Sequence, residues 1–345
     1  MSKPLRWGIA GCGQISHDFA QAMRKCTNPN EVYALSASKL EKAVALKNKL
    51  GLENVKTYGS YEEMFADENV DVVYVGVVHQ KHKDVVFQAM DAGKPVLCEK
   101  PIGVHTRESR ELYNYAKQRG VFLMEATWSR FFPVYQHIRK VLDSKEIGDL
   151  KGAGCNFGNP LLSDNRMRPE EGSTPANDIG IYTIQFALWV FGEKPTNITA
   201  VGKLNDKGCD IWATIVLEFA NGGKATLFYS AEDNTPMSAY ISCTDGYMEI
   251  PNYFYCPDEV VVYKGNLMDN KPTPPPLKFD FNDDAKYNFN HSSGLRYEAD
   301  HVYECLAAGY KSSDVHTPEK SLEVHEVLDE VRKQIGVKYL LSTFG

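Results

Sequence analysis

The first third of the chain alternates short apolar runs with amphipathic stretches. Leu5–Ala10 is apolar and runs into glycines, and 15–23 then reads as helix. Residues 32–35 form a second strand and Leu40–Leu50 a second helix. Residues 70–78 (VDVVYVGVV) are apolar on both faces, as a strand inside a parallel sheet should be. A helix over 85–92 stops at Gly93, 95–98 is a strand, 107–118 a helix and 121–124 a strand. Strands and helices in alternation with short loops predict a doubly wound parallel sheet, a Rossmann domain.

The texture then changes. A helix over 132–142 leads to a strand over 150–157 and a helix over 176–191. Strand-like runs follow at 198–201, 211–219, 225–230, Ala239–Cys243 and 260–262, separated by turn signals such as Asn221-Gly222-Gly223. Residues 271–278, with four prolines, read as a loop or sheet edge, and helices over 297–308 and 318–335 close the chain. The pattern predicts an α/β fold in two domains. A dinucleotide-binding Rossmann domain spans 1–125, and an α+β domain with a large, mostly antiparallel open sheet spans 126–345. The outer face of that sheet, around Ile215, Leu217 and Phe219 and their alternates, reads as too apolar to leave in water, which predicts a homodimer.

Composition narrows the function. With 345 residues, 43% hydrophobic and 24% charged, the chain suits two globular domains and not wholesale disorder. Thirty-eight Lys and Arg against 45 Asp and Glu leave a net −7, so no basic surplus exists for a nucleic-acid partner. No apolar stretch approaches the roughly 20 residues of a membrane helix. The eight cysteines are scattered without a CxxC pair and read as reduced thiols. With no signal-peptide pattern at the start, the expected location is cytoplasmic. His79 and His82 have HxxH spacing but no third ligand nearby, so no metal site is expected.

The first chemical signal is Gly11-Cys12-Gly13-Gln14-Ile15-Ser16, a GxGxxG pattern with serine in the last place, between a strand and a helix. Gly11 permits the turn and Gly13 the approach of a pyrophosphate. The N–H groups of the helix start, at Gln14 and Ile15, face it. An NAD site usually has an acid at the end of the second strand, but here Ser38 and Lys39 precede the first acid, Glu41. They suit a 2′-phosphate, which predicts NADP over NAD; alternatively the pair is a solvated helix start. Glu99-Lys100-Pro101 ends a strand at the carboxyl edge of the sheet, where ligands bind. Lys100 there is placed to bond a substrate oxygen or lower a neighbour's pKa, and a cis bond to Pro101 would fix the turn. Asp178-Ile179-Gly180-Ile181-Tyr182 opens a long helix, with Asp178 and Tyr182 four apart on one face. Gly180 inside a helix calls for a close neighbour, a cofactor ring being one candidate. On residues alone Tyr182 reads equally as core and as active site.

These motifs together resemble the Gfo/Idh/MocA family of NAD(P)-dependent oxidoreductases over nearly the whole chain. The resemblance runs through LRWGIAGCGQIS (5–16), YGSYEEM (58–64), VDVVYVGVVHQKHK (70–83) and AGKPVLCEKPIGV (92–104). It continues in FLMEATWSRFFP (122–133), IGDL (147–150), NDIGIY (177–182) and YEADHVYECL (297–306). It implies that Lys100 is the catalytic lysine, Tyr182 the acid–base where many members have histidine, and Asp178 the acid one turn before it. It implies Glu99 and His82 near the cofactor, and a substrate pocket of Trp128, Phe157, Lys151, Tyr255 and Phe289. The implied reaction is hydride transfer between NADP and a trans-dihydrodiol, or an aldose such as D-xylose oxidised at C1. Close relatives that are dimers support the expected homodimer. Ser16, Gly172-Ser173-Thr174, Lys151 and Tyr255 depart from the usual family residues and bear on substrate choice, as do the loops 158–172 and 252–290. A ketose or anhydro-sugar reductase and a silent NADP-binding regulator remain as alternatives.

Overall fold

The computed structural model describes residues 3–160, 167–169, 172–269 and 272–338. Parts of both substrate-loop regions named above, 161–166, 170–171 and 270–271, lie outside the described residues. The chain divides into two compact units, 1–131 with 281–321, and 132–280 with 322–345.

The first unit is built on six parallel strands. These are β1 (Leu5–Ala10), β2 (Asn30–Ser36), β3 (Lys56–Tyr58), β4 (Val72–Val75), β5 (Val96–Glu99) and β6 (Leu123–Ala126), in the order β3-β2-β1-β4-β5-β6. The order reverses between β1 and β4, and a ligand crevice belongs at their carboxyl ends. The connecting helices are α1 (Gln14–Ala22), α2 (Leu40–Leu50), α3 (Tyr61–Ala66), α4 (His79–Asp91) and α5 (Thr106–Arg119). The run 70–78 yields a strand of only four residues, every one buried. Gly76 ends it, and α4 begins at His79, earlier than the expected residue 85, because HQKHKD keeps polar side chains on an open face. Phe19 of α1 stacks on Tyr74 of β4 at 3.9 Å, with Trp7 edge-on to Phe19, which locks α1 to the sheet.

Residues 281–321, assigned above to the second domain, fold with this unit. Their polar ties explain why. Asp300 in α8 (Leu295–Ala307) accepts the N–H groups of Thr27 and Asn28 at 2.7 and 2.8 Å. Asp18 of α1, fully buried, accepts those of Asn288 and Phe289 at 2.9 and 3.0 Å.

The second unit holds an eight-stranded sheet. Its strands are β7 (Leu150–Gly158), β8 (Asn197–Leu204), β9 (Asp210–Glu218), β10 (Lys224–Ser230), β11 (Ala239–Cys243), β12 (Gly246–Ile250), β13 (Glu259–Lys264) and β14 (Leu277–Lys278). The order is β14-β13-β12-β11-β7-β10-β9-β8, antiparallel except for the parallel pair β7–β10. The proline-rich stretch ends in β14, at the sheet edge as expected. Helices α6 (Pro133–Ser144) and α7 (Ile181–Phe191) belong to this unit, and α9 (Pro318–Gln334) enters it at residue 322. Alternation along β9 sets Ile211, Ala213, Ile215 and Leu217 inward and leaves Trp212, Thr214 and Val216 half-exposed. Among the described residues no helix is long and apolar enough to cross a membrane.

Candidate active site

The glycine turn is shaped by sterics on both sides. Gly11 has φ +100°, and a Cβ there would sit 2.5 Å from the Gly76 carbonyl oxygen. Gly13 caps α1 in an extended conformation, with nothing within 4 Å of where a Cβ would be. No side chain caps α1 and no acid lies in its first turn, so its N–H groups remain for an anion. Ser16 in the third position is matched by Gly76: its Oγ donates to the Gly76 carbonyl at 3.3 Å and would clash with any Cβ on Gly76. These residues fit a dinucleotide pyrophosphate, with Gly11, Gly13, Gln14 and Ile15 as its cradle.

Past β2, Ser38 and Lys39 are exposed, and Lys39 opens α2 without a side-chain cap. Lys42, which the sequence reading passed over, lies near the turn. Burial pushes the Cys12 thiol up to about 11, and the Lys42 charge pulls against it. The ends of β2 and the glycine turn thus carry two lysines and no acid before Glu41.

Lys100 is half-buried at the end of β5, and its peptide bond to Pro101 is cis. What surrounds it is a set of buried side chains that hold backbone. Glu99 accepts the Tyr74 hydroxyl at 2.6 Å and the Lys100 N–H at 3.3 Å. His82 is fully buried, with Nδ1 2.7 Å from the Pro101 carbonyl oxygen and Nε2 3.1 Å from that of Val77. With both ring nitrogens turned to backbone oxygens, His82 shapes the turn and makes no contact with a cofactor; this corrects its expected role. Burial lowers its pKa. Glu125 on β6 accepts the Ile102 N–H at 2.9 Å and the Ser321 hydroxyl at 2.6 Å, with His316 Nε2 at 3.2 Å. Glu298 on α8 is fully buried beside Glu99, and neither of its carboxyl oxygens has a hydrogen-bond partner. Burial, then the Glu99 charge, pushes it well above the usual carboxylate range, and burial raises Glu99 too. Sequence reasoning missed Tyr74, Glu125 and Glu298 here. The signal for Glu125 was an acid inside an apolar run, a residue type rarely buried unless paired.

In the second unit Tyr182 joins two rings. Phe157, near the end of β7, stacks on Tyr255 at 4.5 Å between centroids, and Tyr182 lies 5.8 Å from Phe157 and 5.1 Å from Tyr255. Burial pushes the Tyr255 hydroxyl far up, with the Asp178 charge adding to it. So Tyr182, Phe157, Tyr255 and Asp178 are brought together. The helix expected over 176–191 is not uniform: Ala176–Gly180 is a π-helical turn that leads into α7. Such turns recur at functional sites. Gly180 needs its missing side chain because a Cβ would meet the Tyr229 ring at 2.9 Å, so the close neighbour is a tyrosine of β10 and not a cofactor ring. Tyr229 cannot swing freely, since its hydroxyl donates to buried Asp210 at 3.0 Å, and the same carboxylate oxygen accepts the Ala176 N–H at 2.7 Å. Tyr253 and Met237 adopt left-handed φ values of 48° and 54°, and the Phe254 N–H donates to Met237 O, which sets the loop that presents Tyr255.

Three expected pocket residues lie elsewhere. Trp128 is buried in a 3₁₀ turn, Trp128–Phe131, of the first unit. Phe289 is half-buried in the same unit, tied to α1 through Asp18. Lys151 is exposed on β7, six residues and so about 20 Å along the strand from Phe157; it shares a face with Phe157 but no pocket.

Comparison with known proteins agrees with this geometry. Residues 5–127 match the model of the oxidoreductase family with an NAD-binding Rossmann fold, and residues 135–249 match the GFO/IDH/MocA C-terminal domain. The chain is 40% identical over 341 residues to trans-1,2-dihydrobenzene-1,2-diol dehydrogenase of Xenopus laevis, covering 97% of this chain and 99% of the relative. The Homo sapiens enzyme of that name is 39% identical over 340 residues, covering 97% and 98%. The aldose-aldose oxidoreductase of Caulobacter crescentus, 20% identical, shares the fold with a TM-score of 0.81 over 96% of this chain and 98% of that one. The chain belongs to the Gfo/Idh/MocA family of oxidoreductases and carries its NAD(P)-binding Rossmann domain.

Proposed function

We propose that this oxidoreductase is an NADP-linked dehydrogenase of vicinal diols or aldoses, with Tyr182 as acid–base, Lys100 as its cationic partner and Asp178 as supporting acid. The observation that carries the reading is the ring-walled tyrosine: Tyr182 held against Phe157 and Tyr255 with Asp178 alongside. Flat apolar walls around one hydroxyl suit a small cyclic alcohol, and identity of about 40% to dihydrodiol dehydrogenases supports that substrate class. When bound, the nicotinamide supplies the hydride acceptor. Tyr182 takes the substrate hydroxyl proton. Free tyrosine has a pKa near 10, too high for an efficient base at neutral pH, and the Lys100 ammonium is assigned to lower it. Ser38, Lys39 and Lys42 favour the 2′-phosphate of NADP.

A panel of trans-dihydrodiols and aldoses, D-xylose included, tested with NADP and with NAD by nicotinamide absorbance, checks this. Turnover of a diol or aldose with higher kcat/KM for NADP is expected. Equal kcat/KM for the two cofactors would remove the NADP assignment. Reduction of ketoses or anhydro-sugars alone would move the substrate class, and NADP binding without turnover of any of them would make the chain a regulator.

The same reading includes a homodimer through the outer face of the eight-stranded sheet. That face exposes Val201 and Tyr240, with Trp212, Val216 and Phe228 half-exposed and Tyr247 stacked on Tyr263 at 4.1 Å. Such a face is costly to leave in water. Light scattering at micromolar concentration should give twice the chain mass; a single monomeric species would refute it.

A further inference from the structure

Helix α8 carries two metal-ligating side chains on one face, His301 and Cys305, four residues apart. Cys305 Sγ lies 3.3 Å from His301 Nε2, and Asp314 Oδ1 lies 3.6 Å from the same nitrogen. One donor atom from each of the three lies within 4.8 Å of the others. Zinc bonds of about 2.1 Å to nitrogen and 2.3 Å to sulfur, meeting at a tetrahedral angle, separate the two donors by about 3.6 Å. The cluster therefore already has the edge lengths of one coordination polyhedron.

The imidazole is in the required tautomer. Ser313 Oγ accepts the N–H groups of Val315 and His316 at 3.1 and 2.9 Å and lies 2.7 Å from His301 Nε2. With its acceptor sites filled, the hydroxyl gives its proton to Nε2, so the Nε2 lone pair faces the cluster. Phe131, 4.8 Å away between centroids, limits rotation of the ring. Cys305 is buried while Asp314 is exposed, so the cluster opens to water on the Asp314 side.

The geometry points to a zinc site formed by His301 Nε2, Cys305 Sγ and the Asp314 carboxylate, completed by water. Mixed nitrogen, sulfur and oxygen donors suit zinc. On binding, the Zn–S bond forms as the Cys305 thiol releases its proton to solvent, and the Ser313 hydroxyl turns away from Nε2 while keeping its two N–H bonds. The ion ties the segment 308–316 to α8. That segment ends at His316, which faces Glu125, and Glu125 holds the turn after Lys100 through Ile102. The site is thus structural, and it backs the lysine turn.

The test strips the full chain with a chelator and titrates it with Co²⁺ as the probe. One Co²⁺ per chain is expected, with a thiolate-to-cobalt charge-transfer band and the visible bands of tetrahedral cobalt, displaced by Zn²⁺. Cys305→Ser should abolish the charge-transfer band. Asp314→Asn, at an exposed position that leaves the fold intact, should weaken binding by about tenfold or more. Zn²⁺ should raise the Tm of the wild type and not of Cys305→Ser. Absence of stoichiometric uptake, persistence of the band in Cys305→Ser, or unchanged affinity in Asp314→Asn would each overturn the assignment.

Discussion

At the carboxyl edge of the parallel sheet, the groups offered to a ligand are backbone N–H groups and one lysine, and the side chains behind them are acids: Glu99, Glu125 and Glu298. Around Tyr182 the offered groups are rings, and the support behind them is one acid, Asp210, with a tyrosine wedged against Gly180. The first region places backbone by charge and hydrogen bonds, so its weak points are protonation states. The second places a hydroxyl by close packing, so its weak points are volumes. Substitutions that change charge without shape should act mainly in the first, and those that change shape without charge mainly in the second.

The largest expected effect crosses that division. Tyr182→Phe keeps the ring packing and deletes only the oxygen. If the phenol is the acid–base, kcat should fall about 10²–10⁴-fold while NADPH affinity, measured by fluorescence, stays unchanged. Retention of more than about half of kcat would take the tyrosine out of the mechanism. Lys100→Met should also lower kcat strongly, and the double variant should lose far less than the product of the two if they work as one unit.

Gly180→Ala comes next, as a pure change of volume. Its Cβ would press on the Tyr229 ring, whose hydroxyl is tethered to Asp210, so about 1–3 kcal/mol of stability should be lost in urea unfolding. A variant as stable as the wild type would show that the wedge yields.

Glu298→Gln is the converse, a change of charge alone. The folded-state pKa of Glu298 is raised, so above the ordinary carboxylate pKa the folded chain keeps a proton that the unfolded chain releases. Stability contributed by this group therefore falls as pH rises, with a slope of up to about 1.4 kcal/mol per pH unit until the folded pKa is reached. The glutamine variant should melt higher than the wild type at pH 8 and level with it at pH 4. Equal melting at both would mean that the carboxyl finds a partner.

The smallest effect is expected at Ser38→Asp. A carboxylate there repels a 2′-phosphate and accepts from a ribose hydroxyl, so the ratio of kcat/KM values should move about tenfold toward NAD. No movement would place the 2′-phosphate away from Ser38.

The two regions also differed in how far they could be read from sequence. The glycine turn and Lys100 were legible because their geometry is local: strand, turn and helix adjoin in the chain, and the sheet edge follows from strand order. Glu125 stood in plain view inside an apolar run, yet its partner Ser321 is 196 residues away. The reason for Gly180 was hidden in the same way, in Tyr229 on another strand. Lys151 failed for a further reason. A resemblance transfers a position on a face, and about 20 Å of strand separates that position from the rings. The π-helical turn left no periodic trace, since one widened turn barely disturbs the apolar pattern of 176–191. The return of 281–321 to the first unit rests on Asp18 and Asp300, acids whose capping of distant N–H groups no local pattern reveals.

The parallel pairing of β7 with β10 has a consequence for how the second unit is made. Gly152 pairs with Lys224 and Gly158 with Ser230, so the strand on one side of β7 arrives some 70 residues after it. Its other neighbour, β11, comes later still, with Cys155 opposite Ala239. During synthesis β7 therefore leaves the ribosome with both hydrogen-bonding edges vacant, and it waits for more than 70 residues of chain before either is filled. Loop closure over such a span is slow compared with hairpin formation, and an open apolar strand invites pairing with another chain in the meantime. The centre of the finished sheet is thus the last part of it to be sealed, and crowding or slowed translation between residues 158 and 224 should raise aggregation before it lowers the stability of the folded protein.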